Sequence, residues 1–214
     1  MFTDMKAAIF DLDGTLIDSM WGWEQIDKDY LESIGHPVPP NLKDDITHLS
    51  LSQTAVYFKK RFNIKDSIDS IISTWSNMAY YQYANNIHLK KGAFEFLSHL
   101  KASNIKIGLA TSNSIDLLTA VLKNNKIYDF FDTITVSDEV KVGKDNPDIY
   151  LLSAKKLGVS PSECIVFEDI PAAVSGAKKA NMKVVAICDE YEKDSHPLLK
   201  EMADRYIYDY FELL

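Results

Sequence analysis

The feature that most constrains this chain is a short apolar run that ends in two closely spaced acids. Residues 7–10 read Ala-Ala-Ile-Phe, and residues 11–15 read Asp-Leu-Asp-Gly-Thr. A short apolar run bounded by turn residues is typical of a strand buried inside a sheet. Two carboxylates at the end of such a strand are costly unless a partner compensates their charge, and a divalent cation is the usual partner. The segment therefore predicts a buried strand that carries an acidic site.

Helix-like and strand-like segments alternate from residue 92 onwards. The pattern predicts helices over 93–102, 115–124, 147–157 and 171–180, and strands over 105–110, 133–136, 164–167 and 183–187. This alternation is typical of a parallel sheet with right-handed crossovers and helices on both faces. The predicted fold class is a Rossmann-like, three-layer α/β core. The aromatic tail, 206–214, is predicted to pack as a last strand and a short helix.

The segment after the first strand follows a different pattern. Apolar and aromatic residues recur there at helical spacing, prolines separate the first two helices, and no strand is evident. The segment is too short to be a typical independent domain. We therefore predict an α/β core formed by residues 1–17 and 87–214, and an inserted α-helical cap formed by residues 18–86.

Charge and composition narrow the classes of partner. The 214 residues carry a net charge of −8, which argues against a nucleic-acid backbone or an anionic membrane as the main partner. Asp4 and Lys6 interrupt any signal-peptide pattern, and no segment approaches the length of a membrane span. We expect a cytoplasmic protein, a monomer or a weak dimer, that binds neither nucleic acid nor membrane.

The two acids of the first motif have residue types suited to phosphoryl transfer. Asp11 is placed to attack a phosphoryl group as a covalent nucleophile. Asp13 is suited to protonate the leaving alkoxide and then to take a proton from the attacking water. Capping by Asp11 and a turn bond made by Asp13 before Gly14 are the alternative structural roles.

Polar residues also follow two later strands, where the carboxyl ends of a parallel sheet would meet. These residues are Thr111, Ser112 and Asn113 after one strand, Glu168 and Asp169 after another, and Lys144 before a helix opened by proline. The hydroxyl of Thr111, with the amides of the next two residues, would hold phosphate oxygens, and Lys144 would neutralise charge. Helix capping, a solvated surface lysine and acids that complement a helix dipole are the alternatives.

An oxygen-rich magnesium site is predicted from the same acids. Asp11, Asp169 and the backbone carbonyl of Asp13 would be its ligands, and Glu168 would lie nearby or bind through water.

In order and context, these residues resemble the four motifs of the haloacid dehalogenase-like phosphatases. The resemblance extends from the first strand to at least Ile187, and the helical insert is similar to the small cap of the subgroup that contains β-phosphoglucomutase and phosphoglycolate phosphatase. It implies Mg²⁺ as cofactor and an aspartyl-phosphate on Asp11. It also implies a small phosphorylated metabolite, such as a sugar phosphate, as substrate, with a cap that closes over the core and selects the leaving group.

Two other functions remain open: a sugar phosphomutase and a catalytically idle regulatory protein on the same fold. The mutase subgroup has a histidine where this chain has Trp23, and its basic cap-loop residues are replaced near Thr47 and Leu51. Both differences favour hydrolysis. The candidate substrate-facing residues of the cap are Trp21, Trp23, Glu24 and His48, and each of them is also consistent with packing or surface exposure.

Overall fold

The predicted parallel sheet is present in the computed structural model, which describes residues 5–46, 49 and 51–214, with the backbone alone at Asp44. The described strands of the whole structure are β1 (Ala7–Phe10), β2 (Ile17–Asp18), β3 (His88–Leu89), β4 (Lys106–Thr111), β5 (Thr133–Val136), β6 (Cys164–Glu168), β7 (Lys183–Ile187) and β8 (Arg205–Ile207). The described helices are α1 (Met20–Ser33), α2 (Leu42–Ile46), α3 (Leu51–Arg61), α4 (Ile68–Asn85), α5 (Ala93–Ala102), α6 (Ile115–Asn124), α7 (Asp148–Leu157), α8 (Pro171–Lys179) and α9 (His196–Met202). None of these helices has both the length and the apolar character that crossing a membrane requires.

Six strands form one parallel sheet in the order β5-β4-β1-β6-β7-β8. The chain builds outward from β1 through β4 to β5 on one side, and then from β6 to β8 on the other. The reversal in strand order therefore falls between β1 and β6. Open parallel sheets bind ligands at such a reversal, beyond the carboxyl ends of the strands. The Rossmann-like α/β fold class is confirmed.

Two apolar layers cover the sheet because its central strands are buried on both faces. Ala8 and Phe10 of β1 pack with α5 and α6 on one face. Ala7 and Ile9 pack with α7, α8 and α9 on the other. All four β1 residues are 0% exposed, so the first strand is fixed firmly enough to hold a polar group at its end.

Four aromatic rings support the loop that follows β1. The rings of Phe10 and Phe167 stack with centroids 4.4 Å apart, and those of Phe96 and Tyr210 stack at 5.6 Å. The Tyr210 hydroxyl also donates a hydrogen bond to the carbonyl oxygen of Thr15, at 3.2 Å. The predicted packing of the tail is confirmed, since β8 and a short 3-10 turn at Tyr210–Leu213 end the chain.

The helical insert, α1 to α4, lies between the short antiparallel strands β2 and β3. It has a core of its own, in which the ring of Trp75 meets those of Tyr30 and Phe58 edge-on at 5.5 and 4.9 Å. The two-residue strands were not predicted, because so short a pairing leaves no periodicity in the sequence. The division into core and cap remains a prediction.

One acid of α1 should make stability depend on pH. Burial, and then the charge of Glu24, raises the pKa of Asp27 to about 7, whereas an unfolded aspartate titrates near pH ~3.9. The unfolded chain releases this proton at lower pH than the folded chain does. The free energy of unfolding therefore falls as pH rises between these two values, and the full loss is present above the higher one. We expect Asp27→Asn to raise the melting temperature at pH 8 and to change it little at pH 4. Exposed Glu32 on the same helix gives the control, Glu32→Gln; equal shifts at both pH values would contradict the expectation.

Candidate active site

Three buried carboxyl groups meet where β1 and β6 end side by side. The Asp11 amide continues the sheet by donating to the carbonyl oxygen of Phe167 at 3.0 Å. Glu168 ends β6, and Asp169 follows it. Asp11, Glu168 and Asp169 are only 7%, 0% and 4% exposed. Parallel pairing of the two strands thus brings together acids that are far apart in the sequence.

Lys144 enters this acidic group from the loop before α7. Its Nζ donates to Oδ1 of Asp11 at 2.6 Å and forms an ion pair with Oε1 of Glu168. Burial lowers the pKa of Lys144, but the charges of Asp11 and Glu168 outweigh it and raise that pKa above its ordinary value. Lys144 is therefore a buried cation of the site, and the alternative of a solvated surface lysine does not apply.

One lysine does not balance three buried carboxyl groups. Asp11, Glu168 and Asp169 each offer an oxygen, and these oxygens lie within 4.8 Å of one another. Burial, followed by the charges of the other two acids, raises the pKa of Asp169 well above its usual range. Oε2 of Glu168 is buried with no hydrogen-bond partner among the described residues. This uncompensated set of oxygen donors fits a hard divalent cation such as Mg²⁺.

The loop after Asp13 turns directly beneath these acids. Gly14 has φ of +76°, and a Cβ atom there would lie 2.1 Å from Oδ2 of Asp169. Only glycine combines this backbone conformation with so close an approach. The next residue, Thr15, donates to Oδ1 of Asp169 at 2.9 Å. Thr15 belongs to the predicted motif, but nothing in the motif predicts that its hydroxyl binds a carboxylate 154 positions further along the chain.

Asp13 is held by donors from three segments. Ser19 and Tyr83 donate to its Oδ1, the former at 2.7 Å, and Asn113 Nδ2 donates to its Oδ2 at 2.8 Å. Burial raises the pKa of Asp13, and the nearby charge of Asp11 adds to the rise, although the hydrogen bonds oppose it. A raised pKa favours the protonated form that a general acid needs. The side chain of Asp13 is outside the group of three ligand carboxylates; its predicted metal contact is through the backbone carbonyl.

The turn after β4 contains the predicted phosphate-binding residues. Thr111 is 1% exposed, and its Oγ1 accepts from the amide of Asn113 at 3.0 Å. The hydroxyl of Ser112 lies 2.8 Å from that of Ser137. The amide of Asn113, which was predicted to hold phosphate, is thus used within the turn, and Asn113 reaches Asp13 through its side chain. Binding of phosphate by Thr111, Ser112, Asn113 and Lys144 remains a prediction.

A cavity of about 770 Å³ separates these residues from the helical insert. Its described lining from the insert is largely aromatic or apolar: Met20, Trp23, Leu51, Trp75, Ala79, Tyr80 and Tyr83, with Ser76 and Asn77. Of the predicted specificity residues, Trp23 lines the cavity. Trp21 packs against the core beside the sheet, and Glu24 pairs with Lys43 at 2.8 Å. His48 lies outside the described residues.

Two supporting residues of Lys144 and Glu168 were not predicted. The Tyr150 hydroxyl donates to Oε1 of Glu168 at 2.8 Å. Gly176 of α8 allows the Lys144 loop to lie against the helix, since a Cβ atom there would be 2.0 Å from the Lys144 carbonyl oxygen. Both residues fall in segments whose periodicity correctly predicts helices, and that periodicity carries no information about what a helix supports.

Gly176→Ala should displace the Lys144 loop. The added methyl group collides with backbone and not with a flexible side chain, so we expect a loss of about 1–3 kcal/mol in the free energy of unfolding. We also expect lower turnover, because the Lys144 amine moves away from Asp11. Urea unfolding and phosphate release measure the two effects. Ser175→Ala is the control, and unchanged stability and activity in Gly176→Ala would contradict the close contact.

The chain is similar to known proteins in both sequence and fold. A profile of the haloacid dehalogenase-like hydrolase family matches residues 8–187. The phosphorylated carbohydrates phosphatase of Thermotoga maritima is 30% identical over 84% of this chain and 83% of that protein. Hexitol phosphatase A of Escherichia coli is 30% identical over 85% of this chain and 82% of that protein. The solved structure of a candidate β-phosphoglucomutase from Thermotoga maritima is 28% identical and superimposes with a TM-score of 0.86. The match covers 95% of this chain and 94% of that protein's chain.

Proposed function

The chain belongs to the haloacid dehalogenase-like hydrolase family and is a phosphoric monoester hydrolase, and we propose that it is a Mg²⁺-dependent phosphatase that forms an aspartyl-phosphate on Asp11. The observation that carries the proposal is the Lys144 ion pair with Asp11 and Glu168, at the base of a cavity that Asp13 also lines. A nucleophilic carboxylate, an adjacent cation and a second acid are the groups that phosphoryl transfer through an enzyme carboxylate needs.

In the first step, a carboxylate oxygen of Asp11 attacks phosphorus and the ester P–O bond breaks. Asp13 gives its proton to the departing oxygen, so that the alcohol leaves neutral. The raised pKa of Asp13 favours the protonated form that this step requires. Lys144 stays within hydrogen-bond distance of the nucleophile and offsets the negative charge that gathers around phosphorus.

In the second step, water attacks the phosphorus of the aspartyl-phosphate. Asp13, now ionised, takes a proton from that water, and the bond between phosphorus and Asp11 breaks to release inorganic phosphate. Asp11 and Asp13 then return to their starting states. The same residue thus serves as acid and then as base.

Mg²⁺ would be held by Asp11, Asp169 and Glu168, with the backbone carbonyl of Asp13 as the further predicted ligand. Bound there, it would supply positive charge beside the nucleophile and the phosphoryl group.

Binding of Mg²⁺ can be measured without turnover: Mg²⁺ should raise the melting temperature of the wild-type chain, and Asp169→Asn should abolish that rise. Chelation should stop phosphate release and added Mg²⁺ should restore it, whereas turnover in the chelator would contradict the metal site.

The cavity supports a phosphate monoester whose leaving group carries no second anion. Lys144 is the single cation among the described lining residues, and Asp116 and Glu192 add negative charge beyond the acidic group. Like charges brought together without water cost several kcal/mol. Aromatic walls also suit the flat, apolar face of a sugar or similar ring. A sugar monophosphate or a related polyol phosphate fits best, in keeping with the names of the two phosphatase relatives.

A panel of phosphate esters tests the proposed function. It should include sugar monophosphates, a hexitol phosphate, nucleoside monophosphates, phosphoglycolate and a sugar bisphosphate, each with Mg²⁺. We expect release of phosphate from the sugar, hexitol and nucleoside monophosphates to be at least tenfold faster than from phosphoglycolate or the bisphosphate, whose leaving groups carry a second anion. Preference for an ester whose leaving group carries its own negative charge would contradict the substrate proposal. Absence of release from every ester, with the fold intact and Mg²⁺ bound, would contradict the phosphatase itself.

A further inference from the structure

Tyr83 is a buried tyrosine of the helical insert whose hydroxyl reaches the catalytic loop. It lies near the end of α4, and its side chain is buried in the hydrophobic cluster on the α5–α6 face of the sheet. Its hydroxyl donates to Oδ1 of Asp13. Tyr83 therefore contacts the proposed general acid, Asp13, from a position 70 residues further along the sequence.

The same oxygen of Asp13 receives a second hydroxyl. Ser19, which is 0% exposed, donates to Oδ1 at 2.7 Å. A carboxylate oxygen has two lone pairs for hydrogen bonds. The hydroxyls of Tyr83 and Ser19 therefore occupy both hydrogen-bonding positions of Oδ1 and hold this oxygen in place.

The other oxygen of Asp13, Oδ2, is bonded to the side-chain amide of Asn113, whose orientation is defined by a second hydrogen bond. It accepts from Nδ2 of Asn113 at 2.8 Å, while the amide of Ser114 donates to the side-chain oxygen of Asn113 at 2.7 Å. This second bond fixes the amide group, so that its NH₂ end and not its oxygen faces Asp13. Oδ2 therefore accepts one bond and keeps a second position.

We propose that Tyr83 is a positioning residue that, together with Ser19, holds Oδ1 of Asp13 and so presents Oδ2 to the leaving oxygen of the substrate. The inference rests on the proposed function. As the ester P–O bond breaks, its electron pair goes to the leaving oxygen, and the proton passes from Oδ2 to that oxygen. Asp13 is left as a carboxylate whose Oδ1 keeps both hydroxyl donors.

The consequence depends on the leaving group. An alkoxide is a poor leaving group and needs a proton as the P–O bond breaks, whereas p-nitrophenolate leaves without one. Tyr83→Phe keeps the ring and removes one of the two hydroxyls that hold Oδ1, so the Asp13 carboxyl group is no longer fixed with Oδ2 towards the leaving group. The variant should therefore hydrolyse alkyl phosphates more slowly than the wild type does, and p-nitrophenyl phosphate at a similar rate.

The test compares kcat/KM of wild type and Tyr83→Phe on two substrates. One is the sugar monophosphate that the wild-type chain hydrolyses fastest in the panel above, and the other is p-nitrophenyl phosphate. General acids contribute about 10²–10⁴-fold, so we expect a loss of about tenfold or more on the sugar phosphate and less than about threefold on the aryl ester. Ser19→Ala should show the same selectivity, and it replaces Tyr83→Phe if that variant fails to fold.

Tyr81→Phe is the matched control, because Tyr81 is an exposed tyrosine on the same helix; it should leave both substrates unaffected. Equal losses on the two substrates in both Tyr83→Phe and Ser19→Ala, or no loss on the sugar phosphate, would overturn the positioning role. Failure of the proposed function looks different, since wild type would then release phosphate from neither substrate.

Discussion

Asp11→Asn is expected to abolish phosphate release while leaving the fold intact. The amide is a far weaker nucleophile than the carboxylate, and removal of a nucleophile that acts as part of a unit costs on the order of 10⁴-fold or more. The fold should survive because asparagine has nearly the same shape and removes one negative charge from a group of three buried acids. The measurement is phosphate release with Mg²⁺, beside a thermal melt of the same sample.

The control is Asp129→Asn, which changes an exposed aspartate away from the site in the same way. It should release phosphate at the wild-type rate. Near-wild-type turnover by Asp11→Asn would rule out the covalent mechanism. A melt that shows an unfolded Asp11→Asn chain would contradict the expectation that the variant folds.

Lys144→Met should produce the second large effect, on both turnover and stability. Turnover should fall by about 10²–10³-fold, because a preorganised positive group next to the phosphoryl group is lost. The variant also leaves Asp11 and Glu168 buried without their cation. Removal of one partner of a buried ion pair costs about 3–5 kcal/mol, so urea unfolding without metal should show a loss of that size at pH 8.

The matched control is Lys141→Met, an exposed lysine of the same loop. We expect its turnover and urea midpoint to equal those of the wild type. If Lys144→Met were as active and as stable as Lys141→Met, the buried ion pair would have no part in function. A smaller stability loss at pH 5 than at pH 8 is expected, since the unpaired carboxyl groups can then take up protons.

The sequence predicts most of the acidic site because parallel strands end at one edge of a sheet. Asp11, Thr111 and Glu168 each stand at the end of an apolar run, so their convergence follows from strand periodicity. Lys144 precedes α7, and its order among the motifs was enough to predict that it joins the site. These residues are placed by regular backbone, which leaves a pattern in the sequence.

Contacts between distant side chains leave no such pattern. Tyr83 and Tyr150 lie on helices at buried positions, and their helical spacing is explained equally well by core packing. Their hydroxyls meet Asp13 and Glu168 only after the helices pack. Gly176 likewise looks like a weak helix residue until the Lys144 loop lies against it. The sequence records where such residues are, and the tertiary packing decides what they contact.

The helical insert shows the same limit. Trp21 and Trp23 are two residues apart on α1, so they face different directions; one packs against the core beside the sheet and the other lines the cavity. Aromatic content alone could not separate these roles. The hydrophobic spacing was nevertheless sufficient to predict helices in this segment.

The most direct test of the central claim is to look for the phosphoryl group on Asp11 itself. Wild-type chain would be mixed with a sugar monophosphate and Mg²⁺, quenched with acid within milliseconds, digested, and examined by mass spectrometry. We predict a phosphoryl group on the peptide that contains Asp11, formed and lost at rates compatible with turnover. Rapid phosphate release with no phosphorylated peptide at any time, or with the phosphoryl group on another residue, would contradict the mechanism.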